Sequence, residues 1–370
     1  MPELIFFFSV ATHFRKLKVK DIRRETGDCV SISFEIPEDL KEEFLFHHGQ
    51  NITLRKKFSG EDLRRSYSIC SSPLENELRI AVKKVEMGRF STHANEQIQV
   101  GDLIEVLAPT GKFFTRLDQT QTKNYLALVA GSGITPVMSI IKTTLATEPN
   151  SHFTLVYGNR DRHSIIFREE LESLKNQYME RFSIIHVLSR ERTEVPINEG
   201  RIDKEKCKLL FQYLVDLKNT DEIFICGPEA MIFGLRNLLE ETGFSKDKIH
   251  FELFTVPGQV PGTPIKTKKI PESPIKEKSQ VTIKLDGISF DLRLEYHGES
   301  ILDAALKTGA DLPFACKGGV CASCRAKLIE GRVEMDNNYA LEKDELESGF
   351  ILTCQSHPRS QTLKIDFDSK

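Results

Sequence analysis

The spacing of hydrophobic and polar positions changes twice along this chain. Up to about residue 118, short apolar runs recur at residues 17–22, 30–36, 51–54, 78–85 and 103–107, separated by turn residues. Runs of strand length with turns between them predict an antiparallel β-barrel. Further on, strand-length, mostly apolar runs at 125–130, 153–157, 182–188 and 222–226 alternate with helix-period stretches such as 167–178 and 229–241. Such runs read as fully buried strands, so this region predicts a parallel sheet wound with helices. Near residue 280 the period returns to two. Val281, Ile283 and Leu285 alternate with polar residues, Asp286-Gly287 supplies a turn, and Phe290, Leu292 and Leu294 alternate again. That is a hairpin, followed by a helix with Ser300 as N-cap, Asp303 three residues on and Gly309 as its stop.

Composition supplies the boundaries. Residues 257–278 hold five prolines, two glycines and five lysines without an aromatic residue, and cannot bury a core. The expected division is a barrel domain at 12–117, an α/β domain at 118–256, a linker at 257–278 and a C-terminal module at 279–370. A length of 370 residues agrees with several domains, and a net charge of -3 argues against nucleic acid as the partner. No apolar run approaches the roughly 20 residues that cross a bilayer. The leading run, residues 4–11, follows Glu3 and no basic residue, so it reads as a strand or extension and not as a secretory signal. The expected compartment is the cytoplasm.

Four of the eight cysteines fall close together in sequence or in pattern: Cys316, Cys321, Cys324 and Cys354. Spacings of x4 and x2 followed by a distant fourth cysteine are those of a plant-type [2Fe-2S] site. Small residues between the first three (Gly318, Gly319, Ala322, Ser323) let the backbone wrap closely and aim N–H groups at the sulfurs. Structural zinc is the rival, but zinc sites usually present two Cys-x-x-Cys knuckles, whereas Cys354 stands alone in an apolar run.

On these residues the module resembles a plant-type ferredoxin domain. The whole chain resembles ferredoxin-NADP reductase-type proteins with a ferredoxin fused at the C-terminus. The resemblance implies an antiparallel β-barrel flavin domain, an α/β parallel-sheet nicotinamide domain and an α+β ferredoxin domain of the β-grasp type. Arg65, Tyr67 and Ser68 match the family's flavin ligands, for the phosphate, the isoalloxazine face and the N5 edge. Gly88, Arg89, Phe90, Ser91 and Thr92 match its pyrophosphate segment, which implies FAD. Lys83, on the strand before that segment, is grouped with the cofactor-binding residues.

Four motifs end the four buried runs of the second domain, where ligands of wound parallel sheets bind. The first is Gly131-Ser132-Gly133-Ile134-Thr135-Pro136, with Thr135 expected as N-cap and Pro136 at the first helical position. The second contains Asn159 and Arg160, with no acidic residue to hold a ribose 2′-hydroxyl. Ser189 and Arg190 resemble the family's 2′-phosphate pair, which implies NADPH. Cys226, Gly227 and Pro228 resemble its segment beside the nicotinamide, and Glu252 and Phe254 match positions near the flavin.

The expected activity passes electrons from NADPH through FAD and a [2Fe-2S] cluster to a separate oxygenase, with no side chain as catalytic acid, base or nucleophile. Resemblance is greatest to the reductase components of bacterial phenylacetyl-CoA epoxidases, over residues 64–70, 131–136, 157–160, 200–203, 224–228, 300–324 and 335–344. It implies a multi-subunit phenylacetyl-CoA oxygenase as acceptor. Reductases of ring-hydroxylating dioxygenases or alkane hydroxylases, and a flavin/iron–sulfur redox sensor, are the alternatives. The acidic group Glu342, Asp344, Glu345 and Glu347 reads either as a docking surface for a basic oxygenase or as a solvated helix face.

Overall fold

The computed structural model describes residues 13–257 and 277–369. The N-terminal run and the proline- and lysine-rich linker lie outside the described residues.

The first domain is a six-stranded antiparallel sheet: β1 (Arg15–Thr26), β2 (Cys29–Glu35), β3 (Asn51–Phe58), β4 (Glu61–Ser68), β5 (Leu78–Lys83) and, after helix α1 (Arg89–Glu96), β6 (Leu103–Thr110). Its order is β4-β3-β6-β1-β2-β5, and an antiparallel bridge between Ile69 and Ile80 joins the two edges into a barrel. Leu17, Val19, Ile32, Ile52, Leu54 and Ile80 fill it, all fully buried, as the period-two pattern requires.

The second domain alternates β7 (Asn124–Ala130), α2 (Ile134–Thr147), β8 (His152–Asn159), α3 (Arg168–Gln177), β9 (Phe182–Leu188), α4 (Lys204–Tyr213), β10 (Glu222–Cys226), α5 (Glu229–Glu241) and β11 (Ile249–Glu252). All five strands are parallel, in the order β11-β10-β7-β8-β9. The central strands β7 and β10 are almost wholly apolar because helices cover both faces. One core runs through the first two domains: Cys29, Cys70, Ala81 and Phe113 of the barrel pack with Ile140, Ile141 and Phe224.

Glu222 breaks that apolar run at the amino end of β10. Its carboxylate accepts from Lys123 Nζ at 2.6 Å and bonds His250 Nε2 at 3.0 Å, and the His250 ring stacks on Phe224 at 4.9 Å. Burial opposes its charge, but the bonds from His250 and Lys123 prevail and hold the carboxyl down to about 2. A carboxyl held low when folded adds stability above its ordinary value of 4.5 and loses it as pH falls towards 2. Urea unfolding of Glu222→Gln at pH 7 should show a loss of at most about 3 kcal/mol. The gap to wild type should close through that acidic window.

The third domain is built from β12 (Lys278–Leu285), β13 (Ile288–Glu295), α6 (Ile301–Lys307), β14 (Arg325–Glu330), β15 (Val333–Met335), α7 (Lys343–Glu347), β16 (Phe350–Leu352), β17 (Ser356–Pro358) and β18 (Thr362–Asp366). Five strands form a mixed sheet, β13-β12-β18-β14-β16, in which β12 and β18 run parallel. The expected hairpin is β12–β13, with Asp286 and Gly287 both at positive φ (54° and 74°) as a two-residue turn demands. Ser300 caps α6 by accepting from the Asp303 N–H at 3.2 Å.

This domain rests on both others. Val320 and Tyr339 pack against the α/β core, and Lys112 of the barrel reaches Asp344 at 2.9 Å and Glu345 at 3.6 Å. Of the acidic group expected to face a partner or solvent, Glu345 is buried against the barrel, while Asp344 bridges Lys112 yet stays 75% exposed.

Candidate cofactor sites and the junction between them

The flavin-motif residues lie on β4 and just beyond the end of β5. Tyr67 lies beside Phe90, their ring centres 5.8 Å apart, with Phe90 buried at the start of α1. Arg65 is exposed and spends one N–H on the Arg64 carbonyl at 2.7 Å, leaving the rest of its fork for an anion. Gly88 is the N-cap of α1 without a side-chain cap, so the first amides of the helix are unclaimed by a cap. A Cβ at Gly88 would stand 2.4 Å from Ser91 Oγ and 3.0 Å from the Val85 carbonyl, which explains the glycine. Ser91 Oγ accepts from the Val85 N–H at 3.1 Å and so closes the loop ahead of the helix, while the Thr92 N–H bonds Gly88 O within it. Arg89 turns away onto Phe58 and Glu61, so its amide and not its guanidinium faces the helix start. Lys83 is 3.6 Å from Asp28 in an ordinary ion pair. The cradle fits a diphosphate with a ring laid on Tyr67.

The nicotinamide-motif residues gather at the carboxyl ends of β7, β8, β9 and β10. A Cβ at Gly133 would lie 2.3 Å from the Cys226 carbonyl oxygen, so the loop after β7 is seated directly on the end of β10. The helix register differs from expectation: α2 begins at Ile134 with Gly133 as N-cap, placing Thr135 and Pro136 second and third. The short 3-10 turn Gly131–Gly133 uses up the residues that a cap at Thr135 would have needed, and the Thr135 hydroxyl donates to Ser132 O at 3.0 Å instead. Asn159 is buried with neither Oδ1 nor Nδ2 bonded, and its carbonyl accepts the Ser189 N–H at 2.9 Å. Arg160 O accepts the Arg190 N–H at 2.7 Å. Ser189, Arg190 and Arg192 line a cleft of about 380 Å³, in which Glu191 is held by Arg162. Gly227 packs on Ala130 and Met231, and Pro228 caps α5. Orphaned amide, glycine seats and a cleft bearing Arg190 and Arg192 beside Glu191 and Glu199 together fit a pyridine dinucleotide.

In the third domain the thiols form a chain of neighbours. Cys316 meets Cys321 and Cys354, and Cys354 meets Cys324. The N–H groups of Gly318 and Val320 point at Cys316 Sγ, at 3.3 and 3.4 Å, and that of Cys316 at Cys321 Sγ, at 3.4 Å. Among the described residues no three Cys, His, Asp or Glu side chains surround one point as a single ion requires. Four neighbouring thiols with amides aimed at sulfur fit an iron–sulfur cluster.

The sites meet at Glu252, which pairs with Cys226 in the β10–β11 register. Ser68 Oγ donates to Glu252 Oε2 at 2.9 Å. Burial pushes the Glu252 carboxyl up to about 8, against the pull of Ser68 and with a further push from nearby Cys321. Barrel, α/β domain and cysteine loop therefore converge on one carboxyl. Phe254, two residues on, is 42% exposed. Two contributors escaped the motif reading. Val256 lies over Gly318, where a Cβ would come within 1.9 Å of it, and Ser323 Oγ is 3.0 Å from Thr53 Oγ1. Only the docked arrangement brings these pairs together.

Comparison with known proteins agrees with the three-part architecture. Residues 16–115 match the oxidoreductase FAD-binding domain, 128–237 the oxidoreductase NAD-binding domain, and 283–359 the 2Fe-2S iron-sulfur cluster binding domain. The chain is 44% identical to a component of the 1,2-phenylacetyl-CoA epoxidase of Escherichia coli, over 97% of this chain and 99% of that one. It is 32% identical to the ferredoxin reductase component of 3-ketosteroid-9-alpha-monooxygenase from Rhodococcus rhodochrous, over 95% and 96%. Phthalate dioxygenase reductase shares the fold with a TM-score of 0.56 at 23% identity, covering 96% of this chain and 98% of that one. An intact type IV self-sufficient cytochrome P450 monooxygenase matches with a TM-score of 0.66 at 21% identity, and this chain spans 41% of its length. The chain belongs to the family of FAD-, NAD- and [2Fe-2S]-domain oxidoreductases that serve as oxygenase reductase components, the family that includes this 1,2-phenylacetyl-CoA epoxidase component.

Proposed function

We propose that this chain is the NADPH-dependent reductase of a multi-subunit phenylacetyl-CoA oxygenase in aerobic phenylacetate degradation, working in the cytoplasm. The observation that carries the electron path is the junction at Glu252, where Ser68 of the flavin motif and Cys321 of the cysteine loop both come close to one residue. The identity and coverage of the phenylacetyl-CoA epoxidase relative support the choice of acceptor.

In this reading Arg65 and the start of α1 hold the FAD phosphates, Tyr67 covers the ring and Ser68 reaches its N5 edge. Gly131, Gly133, Cys226, Gly227 and Pro228 shape the nicotinamide seat, Asn159 and Arg160 line it, and Ser189 and Arg190 take the 2′-phosphate. Cys316, Cys321, Cys324 and Cys354 hold the iron. When bound, the flavin and cluster turn a two-electron hydride delivery into single-electron steps, which a nicotinamide alone does not make. The protein's own part is placement and exclusion of water. Burial pushes the Glu252 carboxyl up, so the junction disfavours a negative charge at that position.

The test is reconstitution with NADPH, oxygen, phenylacetyl-CoA and the candidate oxygenase subunits, quantifying the ring-epoxidised thioester. Product that depends on this chain is the expected result. Brisk NADPH oxidation without product would overturn the acceptor and leave the electron path standing.

A further inference from the structure

Strand β4 presents two faces: Arg65 and Tyr67 of the flavin motif occupy one, and Ser68 of that motif stands only at the end of the other. Successive strand residues point to opposite sides, so Arg64 and Ser66 face away from Arg65 and Tyr67. On that side they meet the cysteine-bearing domain. Ser66 Oγ is 3.0 Å from Thr53 Oγ1, which is itself 3.0 Å from Ser323 Oγ, between Cys321 and Cys324.

Arg64 lies at the centre of this contact, with a side chain only 3% exposed. Its guanidinium lies over the rings of Phe14, at 5.0 Å, and of Phe314, at 4.1 Å and two residues ahead of Cys316. It donates to the Leu312 carbonyl at 3.0 Å and to Asp311 Oδ1 at 2.6 Å. Arg55, on neighbouring β3, donates to the other Asp311 oxygen at 3.0 Å. Each arginine is already aimed by a barrel carboxylate: Asp62 bonds Arg64 at 2.9 and 3.1 Å, and Glu105 bonds Arg55 at 3.0 and 3.1 Å. The receiving forks are therefore set within the barrel, and the cysteine-bearing domain contributes one carboxylate.

That carboxylate is accessible. The Asp311 side chain is 62% exposed and borders a cleft of about 610 Å³ lined also by Lys16, Lys56 and Lys57. Fixed geometry makes the contact specific, while solvent access lets ions screen it.

We propose that Arg64 and Arg55 form a salt-sensitive latch that grips Asp311 and holds the cysteine-loop domain on the outer face of the flavin-binding strand. Arg64 is a positioning residue: it acts on the cluster loop through Asp311, Leu312 and Phe314. The inference deepens the proposed electron path and rests on it for its consequence, though the docking itself is testable without any cofactor.

The test uses the full-length purified protein and the variants Asp311→Asn and Arg64→Lys. The first readout is amide hydrogen exchange at residues 312–323. Asp311→Asn should speed exchange there about tenfold, the factor that accompanies loss of roughly one charge-assisted hydrogen bond. Half-molar KCl should do the same to wild type and add little to Asp311→Asn, a dependence that a merely structural residue would not produce. Arg64→Lys, keeping the charge without the fork, should fall between. The second readout is rapid mixing with NADPH: cluster bleaching should slow in Asp311→Asn while flavin bleaching keeps its wild-type rate. Unchanged exchange at 312–323, or equal salt response in wild type and Asp311→Asn, overturns the latch. A wild-type protein without flavin or iron–sulfur absorbance would instead overturn the electron path, and the exchange result would still decide the latch.

Discussion

Cys321→Ser should abolish the iron–sulfur absorbance of the purified protein while NADPH continues to bleach its flavin. Cys321 lies in the middle of the loop: its sulfur accepts the Cys316 N–H, and its thiol adjoins that of Cys316. The bond to Cys316 and burial both push the Cys321 thiol up, so holding it as thiolate requires a strongly bound metal. Serine offers a harder, shorter-reaching oxygen that suits iron in this setting poorly. Groups that merely support a ligand are worth about 10–100-fold in metal affinity, so loss of a ligand should reduce one-electron turnover with cytochrome c at least about a hundredfold. On the proposed assignment, flavin bleaching depends on residues 65–68, 88–92 and the ends of β7 to β10, none of which the substitution replaces. Iron–sulfur absorbance that survives in Cys321→Ser would contradict the ligand set.

The fold was legible wherever one local period dominates. The unbroken apolar run from Tyr125 to Val129 has to be a strand covered on both faces, and it is the centre of the parallel sheet. Asp286-Gly287 between two alternating runs can hardly be other than a tight hairpin, and both residues adopt positive φ. What period cannot convey is strand order, because β4 and β5 come together at the barrel seam through Ile69 and Ile80 only once the sheet has curled. Helix registration fails for a similar reason. Thr135-Pro136 reads locally as a cap and first turn, but the seating of Gly133 against the Cys226 carbonyl draws the helix start back to Ile134.

The sites divide along the same line. A contiguous motif, such as the x4 and x2 cysteine spacing or Arg65-Ser66-Tyr67-Ser68, can be picked out in sequence as a candidate site. Chemistry made by docking cannot. Val256 over Gly318, Thr53 against Ser323 and the two arginines around Asp311 join residues 62 to 270 positions apart that share no motif. The acidic group near residue 344 shows the cost of reading charge without its partner. Glu345 is buried beside Arg325 and Lys112, while Asp344 bridges Lys112 and remains 75% exposed.

Arg190→Ala should lower kcat/KM for NADPH about a hundredfold, the factor for two charge-assisted hydrogen bonds to one phosphate, while leaving NADH within about twofold. The argument rests on where the charges stand. Ser189 and Arg190 are exposed at the end of β9, and the Arg190 N–H is fixed on the Arg160 carbonyl at 2.7 Å, so the side chain starts from a rigid base. Arg192 shares the cleft, and Glu191, the nearest carboxylate in sequence, is occupied by Arg162 and does not compete for Arg190. At the end of β8, where an NAD-selective site places a carboxylate against the ribose 2′-hydroxyl, this chain has the neutral Asn159 and the cationic Arg160. The other carboxylates nearby are engaged: Asp161 accepts the Ser164 N–H at 2.9 Å, and Glu199 accepts the Thr193 N–H at 2.8 Å. Arginine is the residue whose fork matches phosphate, so Arg190→Lys should recover part of the loss and Arg190→Ala none. An equal loss for NADPH and NADH would place Arg190 on the diphosphate that both nucleotides share, and the preference for NADPH would then have no support in the site.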